Sequence, residues 1–65
     1  YNGEYYTVTF IDGVDGSVIS EVSVPEGGSA NLPTPPVHEG YTFSHWEGTY
    51  QNVSADSTVE YTASS

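Results

Sequence analysis

The 65-residue chain has no cysteine, no methionine, no lysine and no arginine, and each absence removes a class of explanation. Without cysteine there is no disulfide to close a loop and no thiolate metal site, so burial alone must hold one small domain together. Without Lys or Arg, nine acidic residues stand unanswered and the formal net charge is -9. Nucleic acid is thereby excluded as a partner, because phosphate binding needs clustered cations, and anionic membrane surfaces repel the chain. The same self-repulsion predicts good solubility and a stability that rises with ionic strength, since charges are screened over ~8 Å at physiological salt. Trypsin-like proteases have no cleavage site, which suits an exposed extracellular life. No apolar run approaches the roughly 20 residues that span a membrane, and no charged leader with an apolar stretch opens the chain. The missing Met and the small polar residues Thr62, Ala63, Ser64 and Ser65 suggest a module of a longer protein, with any signal peptide or wall anchor elsewhere.

What is present is largely β-forming. In "YYTVTFID", Tyr6, Val8 and Phe10 alternate with Tyr5, Thr7, Thr9 and Ile11, which predicts a strand over Tyr5 to Asp12. "GVDG" supplies a turn, with Gly13 and Gly16 free to take positive φ and Asp15 able to close an Asx turn. A second strand, Ser17 to Val24, completes a hairpin; Val18, Val22 and Val24 share parity and are expected to line one face. The segment "PEGGSANLPTPP" then holds all four prolines. No strand or long helix survives there, at most one helical turn around Ser29 to Leu32, with Leu32 as the expected core anchor. A third strand covers Tyr41 to Glu47, and a fourth, Thr58 to Thr62, carries Val59 and Tyr61 as an interior or terminal strand would. This gives residues 1–4 as a linker, 5–62 as one domain and 63–65 as a tail.

The third strand poses a parity problem. Tyr41 and Phe43 share a face of a regular strand, whereas Trp46, three places after Phe43, points the opposite way. A bulge at Ser44-His45 would return Trp46 to the face of Phe43 and seat both rings in one core. The expected core is then Val8, Phe10, Val18, Val22, Val24, Leu32, Phe43, Trp46, Val53, Val59 and some tyrosines.

Several landmarks occur together: Val8-Thr9-Phe10, the Asp15-Gly16 turn, Val24 with Gly27, Ala30, Pro33 and Pro36, Gly40-Tyr41-Thr42-Phe43 with Trp46, then Asn52-Val53-Ser54, Asp56 and Thr58-Val59. In this order they resemble the Listeria-Bacteroides repeat, also called the internalin B-repeat, over roughly Tyr6 to Tyr61. The most specific part is "EGYTF" with Trp46 at a fixed distance after the paired prolines. Where that family commonly has glycine before the tryptophan this chain has His45, and where it carries lysines this chain has none. The resemblance implies a mostly β, small α+β, four-stranded β-grasp (ubiquitin-like) module, with a Pro/Gly crossover in place of a full helix and the first and last strands parallel at its centre. It also implies a string-forming, non-catalytic spacer or adhesion repeat of a secreted or wall-attached bacterial surface protein.

The functional candidates are weighed against that expectation. Tyr41, Trp46, Tyr50 and Tyr61 beside carboxylates are the residue types that stack on and hydrogen-bond sugars, and Tyr41, Tyr50 and Tyr61 are the candidate ligand contacts of a carbohydrate-binding alternative. Tyrosines in small sheets also lie half-buried with the hydroxyl wet, which explains them without a ligand. Asp12 and Asp15, or His38 and His45, could ligate a metal. The first pair lacks the spacing of an EF-hand and reads as turn chemistry, and the two histidines have no third ligand at a telling distance. "NVS" at Asn52 to Ser54 fits the N-glycosylation pattern, and more simply a turn followed by the apolar anchor Val53. No G-x-S-x-G elbow occurs, and a chain this short hardly encloses a cleft of ~300 Å³. The expectation is therefore no enzyme, no cofactor and no metal. It is a monomer whose partners are neighbouring domains of its own polypeptide and a host or wall protein or glycan, met through surface residues or through an edge strand, Ser17 to Val24 or Tyr41 to Glu47, by strand addition.

Overall fold

The computed structural model describes residues 2–65. Four strands, β1 (Tyr5–Asp12), β2 (Val18–Pro25), β3 (Thr42–Glu47) and β4 (Ser57–Ser64), form one mixed sheet in the order β2-β1-β4-β3. β1 and β4 run parallel at the centre, from Val8 opposite Ser57 to Asp12 opposite Tyr61. The two outer pairings are antiparallel. Of the expected linker, Tyr1 lies outside the described residues. The expected tail is instead strand, because Ala63 and Ser64 continue the pairing with Phe43 and Thr42.

One face of the sheet is apolar. Val8, Phe10, Val24, Val59 and Tyr61 are buried there with Ala30 and Val53 from the connecting segments, while Tyr6, Ile19, Val22, Trp46 and Tyr50 pack around them half-buried. The opposite face carries Thr7, Thr9, Glu21, Ser23, Thr58, Glu60 and Thr62 at the alternate register positions, as the period of two requires. There is no helix among the described residues, so the segment around Ser29 to Leu32, where at most one helical turn could fit, holds none, and the fold is mostly β without the α part of the α+β expectation. The apolar face is covered by two irregular segments joined through their backbones: Gly27 N–H donates to Val53 O (2.8 Å), Val53 N–H to Gly28 O (3.1 Å) and Ala30 N–H to Tyr50 O (2.8 Å). These bonds satisfy the peptide groups that proline and glycine leave without a ladder. They also place Ala30, and not Leu32, against the core; Leu32 is 42% exposed.

Each outer strand carries one bulge. In β3, Phe43 faces Ala63 and His45 faces Thr62, so Ser44 is the extra residue, and Trp46 returns to the side of Phe43 as the parity problem demanded. In β2, Phe10 faces Ser20 but Ile11 faces Val18, which makes Ile19 extra. This second bulge reverses the face of Val18 relative to Val22 and Val24. Val18 is 65% exposed as a result, and Ile19 turns toward the core in its place.

Candidate functional site

The aromatic cluster is built on the end of β4. Tyr61 is 1% exposed. Phe43 stacks on it (centroids 5.4 Å apart, planes 26° apart), Trp46 meets it edge-on at 6.1 Å, and His38 tilts against it at 5.7 Å. Trp46 also makes an edge contact with Phe10 at 5.5 Å and lies 5.8 Å from Phe43. Such separations are those of packed rings. The tryptophan is therefore a half-buried wall of the core, and Tyr61 is the ring at its centre. Phe43 shares that face but keeps 38% of its surface in water at the sheet margin.

The three tyrosines expected to touch a ligand are placed differently from one another. Tyr61 offers no face to a ligand, because Phe43, Trp46 and His38 enclose it. Tyr41 is 44% exposed; its ring meets the His38 ring edge-on at 6.4 Å and its N–H donates to His38 O (3.0 Å). Tyr50 lines a shallow depression of about 320 Å³ with Gly48, Thr49 and Gln51. It shares none of the ring contacts that tie Tyr41 and Tyr61 to His38 among the described residues. The depression has no carboxylate or imidazole in its lining, so the three tyrosines do not converge on one platform.

Convergence occurs instead at the end of the β1-β2 hairpin. Asp12, the last residue of β1, is 2% exposed. Its backbone accepts from Gly16 N–H and donates to Ser17 O, its Oδ1 accepts from Val14 N–H (2.8 Å), and its Oδ2 accepts from His38 Nε2. His38 lies in the proline-rich crossover, 26 residues away in sequence. Asp15 stands in the turn itself. Its Oδ1 accepts from both Ser17 Oγ (2.7 Å) and Ser17 N–H (2.9 Å), and these bonds hold the Asp15 carboxyl below its ordinary value by stabilising the charged form. One ligand atom each from Asp12, Asp15 and His38 lies within 4.8 Å of the other two.

The sequence offers Asp12 with Asp15 and His38 with His45 as separate pairs. The structure divides them otherwise: His38 joins the two aspartates, while His45 bonds Ser44 (3.0 Å) and Glu47 (3.0 Å) in the open on β3. No spacing rule joins residue 38 to residue 12. The one available signal was chemical, a buried-strand aspartate in a chain without Lys or Arg, which leaves histidine as the sole basic side chain able to face it.

No curated protein and no solved structure matches this chain. The sequence pattern of the Listeria-Bacteroides repeat domain does match, over residues 6–65; that span takes in the four strands from the second residue of β1 onward, their turns and the tryptophan bulge, and the chain belongs to the Listeria-Bacteroides repeat family.

Proposed function

We propose that this domain is a non-catalytic extracellular spacer of a bacterial surface protein, carrying neighbouring domains apart and holding them in line. Membership of a family of surface-protein repeat modules supports the setting. The observation that carries the spacer role is the parallel central pair. Because β1 and β4 run the same way, the chain arrives at one end of the sheet and departs at the other. Tyr5 lies three steps before Val8, and Ser64 seven steps beyond its partner Ser57. At about 3.3 Å per residue those ten steps separate the two points by roughly 33 Å along the strands. The body is correspondingly long, 45 × 17 × 15 Å, and its 12.6 Å radius of gyration exceeds the about 11 Å of a compact chain of this length.

The strand order β2-β1-β4-β3 supports a β-grasp reading of the fold, with the crossover of residues 26–41 standing where such folds place a helix. The scattered placement of Tyr41 and Tyr50 and the enclosure of Tyr61 favour the spacer over the carbohydrate-binding alternative, for which a tryptophan-fluorescence titration across a glycan panel is expected to be flat. The spacer reading is tested by small-angle scattering on one, two and three copies joined end to end. The maximum dimension should grow by more than roughly 30 Å per added copy, the scale set by the strand rise. Growth typical of copies folded back on one another would refute it.

A further inference from the structure

We propose that Asp12, Asp15 and His38 bind a divalent transition-metal ion of the zinc type, with water completing its coordination. Three separate segments supply the donors: the end of β1, the hairpin turn and the proline-rich crossover. Their ligand atoms already lie within 4.8 Å of one another. Zinc bonds to imidazole nitrogen and carboxylate oxygen are ~2.0 to 2.2 Å long, which puts tetrahedral neighbours roughly 3.5 Å apart, so side-chain rotation alone brings the three onto an ion. The ion takes the place of the hydrogen bond between His38 and Asp12. Nε2 becomes a ligand, and the ring proton resides on Nδ1.

The buried member of the group sets its charge requirement. Asp12 is 2% exposed in a chain that holds no Lys or Arg anywhere. Its Oδ1 accepts from Val14 N–H and its Oδ2 from His38, so its basic partner among the described residues is the same imidazole that ligates the ion. The donor set selects the ion. One imidazole with two carboxylates suits zinc and its neighbours, whereas calcium requires six to eight oxygens and magnesium keeps most of its water. Among the described residues His45 with Glu47 lacks a third ligand, and both side chains are exposed; the pair serves as an internal control. Bound metal would tie the crossover to the hairpin end.

The test is calorimetric titration of Zn²⁺ into the domain at physiological salt, with the imidazole resonances followed by NMR. One saturable site per chain is expected, shifting His38 and leaving His45 unmoved. His38→Ala keeps every negative charge and should weaken binding by ~10-fold or more, a loss seen even for residues behind the ligands. Asp15→Asn, in an exposed turn that does not threaten folding, should do the same, and His45→Ala should not. Ca²⁺ should bind at least ~10-fold more weakly, having too few oxygens. Zinc binding of equal strength in His38→Ala, in Asp15→Asn or with Ca²⁺ would mean a diffuse attraction to nine carboxylates and would overturn the site, as would the absence of stoichiometric binding.

Discussion

Removing Ser44 should leave the domain folded with its aromatic contacts intact, whereas removing Ser44 and His45 together should not. Ser44 has no partner on β4: Phe43 faces Ala63 and the next pair is His45 with Thr62. Taking it out leaves the pairs Thr42 with Ser64, Phe43 with Ala63, His45 with Thr62 and Trp46 with Tyr61 unbroken and in sequence. Phe43 and Trp46 then stand two places apart in a regular strand, on one face. The double deletion makes the rings adjacent and forces one of them to the polar side. Complete loss of a buried Trp or Phe costs ~3 to 5 kcal/mol. Trp46 is half-buried against Phe10, Phe43 and Tyr61, so a cost near ~3 kcal/mol applies here, against ~3 to 5 kcal/mol of total stability for a domain of this size. In thermal terms the single deletion should move Tm by less than about 8 °C and the double deletion by roughly 12 °C or more, if it folds at all. Urea midpoints followed by tryptophan fluorescence and by far-ultraviolet circular dichroism read both. A single deletion as damaging as the double would refute the claim that Ser44 is a surplus residue whose work is to set parity.

Three further outcomes follow from the same structure. Gly48→Ala should destabilise by ~1 to 3 kcal/mol or more, measured by urea unfolding, because Gly48 has φ of 142° and an added Cβ would stand 2.4 Å from Thr58 O. Raising NaCl from dilute to near-molar should increase Tm, since a net charge of -9 without a single fixed cation leaves repulsion as the dominant long-range term; a falling Tm would contradict it. In chelator-treated buffer the Tm difference between the parent and Ser17→Ala should be constant well above pH 3.8, the ordinary Asp15 value, and shrink as the pH falls below it through the lowered folded value, because a depressed carboxyl stabilises only while ionised. A difference undiminished at pH 2 would assign the Ser17 effect to something other than Asp15.

How far the sequence revealed this fold depended on whether the deciding contacts were local. The run Tyr5–Asp12 appears as a strand with the limits its alternation gives, and the odd interval from Phe43 to Trp46 disclosed the β3 bulge because two large rings cannot face opposite ways in so small a core. The β2 bulge was hidden: Val18, Val22 and Val24 read as a regular series, and only pairing with β1 shows that Ile19 is surplus. Leu32 is the more hydrophobic residue, yet Ala30 is buried, since the bond from Ala30 to Tyr50 O fixes Ala30 against the core and Leu32 lies beyond it, 42% exposed. Tyr61 looks the same in sequence whether its ring is enclosed or displayed. The union of His38 with Asp12 and Asp15 depends on the route of a proline-rich crossover, which no periodicity encodes.

The bulges at Ile19 and Ser44 sit one on each lateral margin of the sheet, while the central parallel pair is regular. Copies strung along one polypeptide meet at high effective concentration, where a straight, unpaired margin would template the next copy and lead to exchange of strands or to fibrils. A kinked margin on either flank, with Pro25 withholding a donor at the end of β2, spoils that template. Copies with such margins are expected to fold one at a time when they are multiplied along a chain.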